Sequence, residues 1–288
     1  MDLSIIITSY NTKDLLDQCL SSVCRTLKKS ELTFEIIVID NASTDRSQEM
    51  VSRKYPKVVC IINKENVGFG KANNLGIHKA KGEYILLLNS DTQVRNGAIE
   101  QLFSFCKTHT KSIVGPKLTN SDGSIQTSCG PFFSLPVVFA VLFLKGDYNG
   151  LTRWSLKKEQ IVDWVSGACL CASKSMFFDG LLFDESIFMY MDEIDLLYRA
   201  KQKGYTVYFN PNATVMHVGS GSSTNKRKGP ILNIYRGFMQ FYRKFYPGWR
   251  VRVLHSMLQC KAYLGIFFGM LCRKKELEET YEEALRLV

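Results

Sequence analysis

The sequence predicts an α/β protein with a mostly parallel central sheet that is covered by helices on both faces. Short apolar runs alternate with stretches that carry apolar residues at helical spacing through the first half of the chain. The apolar runs contain almost no polar side chain, which is the pattern of strands buried on both faces. The chain has 288 residues, of which 45% are hydrophobic, and this suits one large domain with an appendage.

The predicted elements of the first half alternate strictly between strand and helix. The predicted strands are residues 3–8, 34–39, 58–62 and 84–88, and the predicted helices are residues 15–27, 46–55, 70–80 and 97–109. The second half is less regular, with strands at 166–172 and 206–210 and a helix at 193–203. Because crossovers between parallel strands are right-handed, the carboxyl ends of the strands share one edge, where ligands bind in open sheets.

Carboxylates follow the predicted strands at this edge. Asp40 ends an apolar strand, and we expect it to accept a hydrogen bond from a ligand N–H group. Asp91 suits Mg²⁺ or Mn²⁺, since a cation bound to a diphosphate needs only one or two protein ligands. Asp45 is explained equally well as a helix cap. His217 follows another β-rich run, and it is either a second metal ligand or a structural histidine.

A second acidic segment interrupts an apolar stretch. Its five carboxylates are Asp184, Glu185, Asp192, Glu193 and Asp195. A solvated acidic face would not be interrupted by residues 188–191, which are Phe, Met, Tyr and Met. Acids among apolar residues have a raised pKa, as a general base requires. Either Asp192 or Glu193 is expected to cap the following helix while the other faces a substrate, and Asp195 is expected to pair with Arg199.

The net charge of +10 is concentrated near the C-terminus. Residues 225–275 contain twelve Lys or Arg and no Asp or Glu, and ten aromatic residues are interspersed among them. Such a tract suits an anionic membrane surface, where each basic residue contributes about 1 kcal/mol. A solvated basic face is the alternative, and nucleic acid is not expected as a partner. We therefore predict two parts, a catalytic domain at 1–225 and a basic helical segment at 226–288.

The termini and the cysteines indicate the compartment. The N-terminus lacks the charged region and the cleavage site of a signal peptide. The sequence contains no run of 18 apolar residues, so no membrane span is predicted. The nine cysteines form no CxxC pair, which predicts free thiols in a reducing cytosol. We expect a cytoplasmic protein that is peripheral on the inner face of the cell membrane.

Seven short motifs in order carry a family resemblance. They are Ser9-Tyr10-Asn11, the segment from Val38 to Asp45, the segment from Asn66 to Asn73, Leu88-Asn89-Ser90-Asp91, the segment from Trp164 to Ala168, the segment from Met191 to Leu196, and the segment from His217 to Ser222. With these motifs the chain resembles the family 2 glycosyltransferases of the GT-A fold. The nearest branch is the bacterial rhamnosyltransferase-like one, which builds surface polysaccharides.

The resemblance implies transfer of a sugar, with inversion, from a nucleotide diphosphate sugar to a hydroxyl group. The donor would be dTDP-rhamnose or a UDP-sugar, and the acceptor a lipid-linked saccharide. The donor-binding residues that the resemblance implies are Thr8, Tyr10, Asn11, Asp40, Asn41, Ser43, Asp45, Asn66, Gly68, Phe69, Lys71, Asn73, Asn89, Ser90 and Gly167. Asp91 and His217 match the ligands of Mg²⁺ or Mn²⁺, with Asn89 in place of the first acid of the DxD motif. Glu193 matches the general base, but the Asp192-Glu193 order leaves Asp192 as an alternative.

Two other functions remain open at this stage. A nucleotidyltransferase would carry a basic glycine-rich loop soon after the first strand, and residues 8–13 contain no glycine. A catalytically degenerate scaffold would not need Asp40, Asp91 and the Asp192-Glu193 pair together. The stretch from Gly68 to Gly76 is not a dinucleotide-binding fingerprint, since Asn73 stands where the third glycine belongs.

Overall fold

The computed structural model describes residues 1–219 and 228–288. The predicted division between residues 225 and 226, and positions 220–222 of the last motif, lie outside the described residues. The strands are β1 (Leu3–Ser9), β2 (Phe34–Asp40), β3 (Val59–Ile62), β4 (Tyr84–Asn89), β5 (Thr92–Val94), β6 (Ser112–Thr119), β7 (Ile125–Gln126), β8 (Cys129–Gly130), β9 (Gln160–Val162), β10 (Trp164–Val165), β11 (Cys169–Ser173) and β12 (Thr206–His217). The helices are α1 (Lys13–Leu27), α2 (Ser47–Lys54), α3 (Phe69–Lys79), α4 (Ala98–Thr108), α5 (Leu135–Phe143), α6 (Gly146–Asn149), α7 (Lys174–Phe178), α8 (Asp192–Gln202), α9 (Lys228–Phe245), α10 (Gly248–Leu271) and α11 (Lys275–Leu285).

The main sheet confirms the predicted fold class. Its strand order is β3-β2-β1-β4-β11-β6-β12-β5. The pairs formed by β1 with β2, β1 with β4 and β2 with β3 are parallel, as the alternation of the first half predicts. In contrast, β11 runs antiparallel to both β4 and β6, and β5 runs antiparallel to β12. The strand β11 belongs to the less regular second half, whereas β5 is a three-residue strand between β4 and α4 that has no predicted counterpart.

Apolar side chains on both faces of the sheet form two cores. One core contains Ile5, Ile7 and Val38 from the strands and Leu16 and Leu20 from α1. The other core contains Ile6, Ile37 and Leu87 from the strands and buried residues of α3, α8, α9 and α10. Successive strand residues therefore point to opposite faces into packed helices, which explains why the strands are apolar throughout.

The helix α9 packs into the second core. Phe241 and Tyr242 are fully buried, and the Tyr242 hydroxyl donates a hydrogen bond to the Phe133 carbonyl at 2.9 Å. The Lys244 ammonium lies 2.7 Å from a carboxylate oxygen of Asp184 and 2.7 Å from one of Asp195. The first helix of the basic segment thus contacts the acidic segment directly, and the division of the chain into two parts remains a prediction. No helix among the described residues is long and apolar enough to cross a membrane.

Candidate active site

Site residues meet at the carboxyl edge of three neighbouring strands. In the sheet, Ser9 of β1 pairs with Asp40 of β2, and Thr8 of β1 pairs with Asn89 of β4. Asp91 follows β4 after one further residue, so that it lies at the same edge. The shared edge of Asp40 and Asp91, which the sequence predicts, is therefore confirmed.

Several buried polar atoms at this edge lack a hydrogen-bond partner. Among the described residues ten buried side-chain atoms are in this state, and four of these belong to predicted site residues: Thr8 Oγ1, Asp40 Oδ2, Asn89 Oδ1 and Asp192 Oδ2. An unsatisfied buried oxygen costs about 1–3 kcal/mol, so native proteins rarely keep one without a reason. The other oxygen of Asp40, Oδ1, accepts hydrogen bonds from the Ser43 amide and from the Gln48 side chain.

The loop residues after β1 and β2 are tied to one another. Asn11 donates its amide to the Ser43 hydroxyl and accepts the Thr44 amide on its side chain. Asp45 accepts the Lys13 amide on one oxygen and the Ser47 amide on the other. Burial acts to raise the pKa of Asp45, but these hydrogen bonds outweigh it and lower the pKa. Asp45 therefore has the structural role of fastening the start of α2 to the start of α1.

The glycine turn before α3 makes close contact with the acidic segment. Gly68 has φ +87°, and a Cβ atom placed there would lie 2.6 Å from the Phe188 carbonyl oxygen. The Phe69 amide donates to this same oxygen at 3.0 Å. The close approach that glycine permits here is therefore made by the backbone of residue 188. The side chain of Asn66 accepts the Gly68 amide, which closes the turn.

The remaining donor-binding candidates surround this turn, mostly in contacts within the chain. Asn41 donates its side-chain amide to the Gly68 carbonyl, and the buried Asn73 donates to the Phe69 carbonyl inside α3. Lys71 is exposed and lies 3.7 Å from the Glu185 carboxylate. Tyr10 is half-buried after β1. The donor-binding roles of all these residues remain predictions.

A chain of hydroxyl groups connects Ser90 to β1. The Ser90 hydroxyl lies 2.8 Å from the Thr12 hydroxyl, which lies 2.9 Å from the Ser9 hydroxyl. All three residues are buried. The chain fixes the turn between Asn89 and Asp91 to the end of β1. The sequence alone does not identify Ser9 and Thr12 as residues of this site, because serine and threonine are common in any loop.

The two adjacent acids of α8 have different surroundings. Asp192 is 3% exposed, whereas Glu193 is only partly buried. Burial raises the pKa of Asp192 well above its ordinary value, and the neighbouring charge of Glu193 raises it further. Gly167 contacts Glu193, since a Cβ atom at Gly167 would lie 3.4 Å from Glu193 Cβ and 3.6 Å from the Phe69 ring. Glu193, Gly167 and Phe69 therefore converge.

The expectation of a raised pKa does not hold for every acid of this segment. Burial acts to raise the pKa of Asp184, but hydrogen bonds from Lys244 and Ser186 outweigh it and lower this pKa to about 2. Asp195 is fully buried and pairs with Arg199 at 2.6 Å, which confirms the predicted ion pair. Neither acid of the 192–193 pair is the cap of α8, because the cap is Met191, which has φ 66° and makes no side-chain capping bond.

His217 and Asp91 come together because β5 pairs with the end of β12. Thr92 is the register partner of His217, and the His217 Nε2 atom lies 3.3 Å from the Asp91 Oδ1 atom. On the other side of the ring, His217 Nδ1 lies 2.8 Å from the Gln126 Oε1 atom. The Gln126 Nε2 group donates to the Asn120 side-chain oxygen and to the His217 carbonyl.

These contacts determine the tautomer of His217. Because Gln126 Nε2 donates to two oxygens, Gln126 Oε1 is the acceptor, and His217 Nδ1 must carry the hydrogen. In the neutral ring Nε2 then holds a lone pair, so that it and the Asp91 carboxylate are two electron-pair donors 3.3 Å apart. A divalent cation bound to a diphosphate fits such a pair. No group of three or more His, Cys, Asp or Glu with metal-ligand geometry occurs among residues 1–219 and 228–288.

Comparisons with known proteins agree with this geometry. Residues 4–128 match the family model "Glycosyl transferase family 2". The chain is 26% identical, over 86% of both chains, to an N-acetylglucosaminyl-diphospho-decaprenol L-rhamnosyltransferase of Mycobacterium tuberculosis. It is 27% identical to the low-salt glycan biosynthesis hexosyltransferase Agl10 of Haloferax volcanii, over 72% of this chain and 64% of that protein.

A solved structure is similar to the whole chain in its fold. A crystal structure of GalNAc-T7 with UDP, GalNAc and Mn²⁺ superposes with a TM-score of 0.61 at 15% identity. The match covers 99% of this chain but only 54% of the other one, so that this chain spans about half of that protein's length. At this identity the likeness shows the fold alone. The comparisons and the fold together confirm the predicted resemblance: residues 4–128 match glycosyltransferase family 2, and the chain is similar to a rhamnosyltransferase of that kind.

Proposed function

We propose that this glycosyltransferase moves a sugar, with inversion, from a nucleoside diphosphate sugar to a hydroxyl group of a lipid-linked saccharide. The observation that carries the proposal is the convergence at one sheet edge of buried oxygens without partners, on Thr8, Asp40 and Asn89. The Asp91–His217 pair lies at the same edge. Hydrogen-bond donors of a nucleotide would satisfy the oxygens, and the diphosphate would lie near the pair.

The inverting chemistry needs a base on the acceptor side. Glu193 is the better candidate, because it is only partly buried and adjoins Gly167 and Phe69. It would take the proton from the acceptor hydroxyl while the new bond forms at the anomeric carbon. The bond from this carbon to the diphosphate breaks on the opposite face, and its electron pair leaves with the diphosphate. Asp192 is buried and its pKa is raised, which favours its protonated form and makes it the poorer candidate for the base.

Asp91 and His217 would hold Mg²⁺ or Mn²⁺ in this reaction. The cation supplies charge stabilisation to the departing diphosphate. In the chain itself, Gln126 orients His217, and the hydroxyl chain from Ser9 to Ser90 positions the turn that carries Asp91. Lys71 is an exposed cation in the first turn of α3 that would add to the stabilisation.

The lipid-linked acceptor is inferred from the activity of the mycobacterial relative. A hydrophobic acceptor requires the enzyme to work at a membrane, and we propose that the segment 226–288 binds the inner face of the cell membrane. The basic and aromatic composition of this segment supports the proposal.

A donor screen tests the proposed function. UDP-sugars and dTDP-sugars, including dTDP-rhamnose, are incubated with the protein with and without Mn²⁺, and both the rise in melting temperature and the release of nucleoside diphosphate are measured. We expect one donor to raise the melting temperature and to be hydrolysed slowly, both only with the cation. No turnover with any donor, together with no effect of Mn²⁺ on binding, would instead support a scaffold function.

A further inference from the structure

The helix α5 is apolar on all sides although it lies at the surface. Its nine residues, Leu-Pro-Val-Val-Phe-Ala-Val-Leu-Phe, include no polar side chain. Only Val138 and Leu142 are buried. Phe139 is 48% exposed, and Leu144, directly after the helix, is 51% exposed. A helix that is apolar all round is stable where apolar surroundings cover all of it. One side of α5 therefore lacks a cover among the described residues.

The helix α10 has two apolar stripes on opposite sides. The inner stripe is buried and consists of Leu254, Leu258, Ala262, Gly265 and Gly269. The outer stripe is exposed and consists of Trp249, Val253, Leu264, Phe267 and Leu271. Within each stripe the residues are separated by 3, 4 or 11 positions, which places them on one side of a helix. The outer stripe has residues near both ends of the helix.

The packing of α11 separates the acidic residues from the outer stripe. A Cβ atom at Gly265 would lie 2.2 Å from the Tyr281 ring, and one at Gly269 would lie 2.8 Å from the Glu278 amide. The helix α11, which carries several glutamates, thus lies against the inner side of α10. The outer stripe points away from these carboxylates.

Basic residues accompany the exposed apolar surface. The helix α10 contains Arg250, Arg252 and Lys261 but no acid. Burial lowers the pKa of Lys261, and the nearby charge of Lys145, at the end of α5, lowers it further. Neither lysine forms an ion pair with an acid in the part of the chain that the structure describes. An anionic headgroup would supply a counter-charge to both ammonium groups.

We infer that α5, with Leu144 and Lys145 after it, and the outer stripe of α10 form a single face that docks on an anionic lipid bilayer. This inference rests on the proposed membrane association of residues 226–288 and extends it to a helix of the glycosyltransferase domain. The two helices pack against each other. Exposed aromatic and aliphatic side chains flanked by Lys and Arg match the boundary between headgroups and acyl chains.

The face also determines the orientation of the enzyme. The chain passes from β8 through Phe133 into α5, and the Tyr242 hydroxyl holds the Phe133 carbonyl against α9. Docking through both helices would therefore hold the sheet and the Asp192-Glu193 segment at a constant height above the lipid. A lipid-linked acceptor would then meet Glu193 from one side only.

Vesicle binding by the full chain tests the inference. The wild type and three variants are sedimented with phosphatidylcholine vesicles that contain or lack phosphatidylglycerol. The variants are Phe139→Ser with Leu144→Ser on α5 and after it, Leu264→Ser with Phe267→Ser on α10, and Lys145→Gln with Lys261→Gln. We expect each apolar pair to weaken binding about tenfold or more, and the lysine pair to weaken it about fivefold for each lysine, only with phosphatidylglycerol.

Matched controls use exposed isoleucines elsewhere. Ile62→Ser on β3 and Ile161→Ser on β9 remove apolar residues that are 58% and 61% exposed, and they should leave vesicle binding unchanged. If the α10 variant detaches and the α5 variant does not, the shared face is wrong while the association of residues 226–288 stands. If the wild type does not bind anionic vesicles, both the shared face and the membrane association of residues 226–288 are wrong. Donor hydrolysis by the same samples still tests the glycosyltransferase function. A wild-type dimer in light scattering that the α5 variant converts to a monomer would make the face a dimer interface and overturn the inference.

Tryptophan fluorescence gives an independent measurement. Of the three tryptophans, Trp249 is exposed on the outer stripe, and Trp164 is buried next to Phe133. Brominated lipids should quench the emission of the wild type, and Trp249→Phe should remove this quenching while sedimentation with vesicles persists. Absence of quenching in sedimented wild-type protein would show that another surface docks.

Discussion

The His217 Nε2 atom lies 3.3 Å from the Asp91 Oδ1 atom, and Gln126 holds the opposite nitrogen of the same ring. The two residues are far apart in sequence, but β5 and the end of β12 pair as neighbours. Two electron-pair donors at this distance suit a divalent cation. The nucleoside diphosphate sugar that would bind with this cation is proposed to lie at the carboxyl edge of the sheet.

Replacing the carboxylate should abolish the effect of the cation. We expect Asp91→Ala to bind a UDP-sugar or dTDP-sugar equally weakly with and without Mn²⁺, whereas the wild type binds more tightly with it, as isothermal titration calorimetry would measure. Asp122→Ala, in an exposed turn with its own serine partner, serves as the control. Unchanged affinity of Asp91→Ala in the presence of Mn²⁺ would contradict the metal role of Asp91.

Removing the Gln126 acceptor should allow His217 to adopt both neutral tautomers. In Gln126→Leu the Nδ1–H group loses its acceptor, and we expect Mn²⁺ affinity in the presence of the nucleoside diphosphate to fall about 10- to 100-fold. Nitrogen chemical shifts of His217, measured by NMR without metal at a pH where the ring is neutral, should move toward a mixture of tautomers. Gln126→Glu keeps an acceptor for Nδ1–H and should restore most of the affinity. A His217 spectrum that is identical in Gln126→Leu and the wild type would contradict this role.

Substitutions of Asp192 and of Glu193 should have different effects on sugar transfer. We expect Glu193→Gln to keep donor binding and to lose transfer by about 100-fold or more, because the acceptor proton has no receiver. Asp192→Asn should retain most of the transfer activity, since Asp192 is buried and its raised pKa favours the protonated form, which the amide resembles. Initial rates and donor affinities of both variants decide the assignment. If Asp192→Asn alone eliminates transfer, Asp192 is the base.

The raised pKa of Asp192 makes a prediction about stability. Above pH 3.8, the ordinary value of Asp, the unfolded chain releases the proton that the folded protein retains. The folded state therefore loses stability as the pH rises from this value to the raised pKa. We expect Asp192→Asn to raise the melting temperature, and by more at about pH 8 than at about pH 5. Asp184 has a pKa lowered to about 2, so its interactions stabilise the fold above pH 3.8, and Asp184→Asn should lower the melting temperature at neutral pH. A lower melting temperature of Asp192→Asn at pH 8 would contradict the raised pKa of Asp192.

Asp40 offers a substitution that preserves its contacts within the chain. In Asp40→Asn the oxygen that accepts the Ser43 amide and the Gln48 side chain can stay, while an amide group replaces the oxygen without a partner. We expect affinity for UDP or dTDP to fall about 10-fold or more. The reason is that the new side-chain NH₂ group would face the N–H group of the nucleotide base, and neither can accept a hydrogen bond from the other. Calorimetry measures the affinity, and an unchanged melting temperature without ligand shows that the fold is intact. Equal affinity of Asp40→Asn and the wild type would remove Asp40 from the nucleotide site.

Local patterns predict the first half of the fold. The strands β1 to β4 and the helices α1 to α4 lie within a few residues of their predicted bounds, because each contains its own periodic signal. The second half is harder to predict. The strand β11 is shorter than predicted, and β12 extends to His217 across an irregularity between Asn210 and Thr214. Its pairings join distant segments, and no local pattern encodes them.

The sequence by itself determined the α/β class, the family resemblance and the candidate residues Asp40, Asp91 and Glu193, because buried parallel strands and strand-end carboxylates have a recognisable local signature. Only the tertiary structure decided how these residues are surrounded. Gln126 lies in a two-residue strand without a motif, yet it determines the tautomer of His217, which is 91 positions away. Asp192 and Glu193 are adjacent in sequence, and their different burial distinguishes the acid with the raised pKa from the candidate base. Burial and long-range hydrogen bonds arise from contacts between distant segments, so that they exist only once the chain has folded.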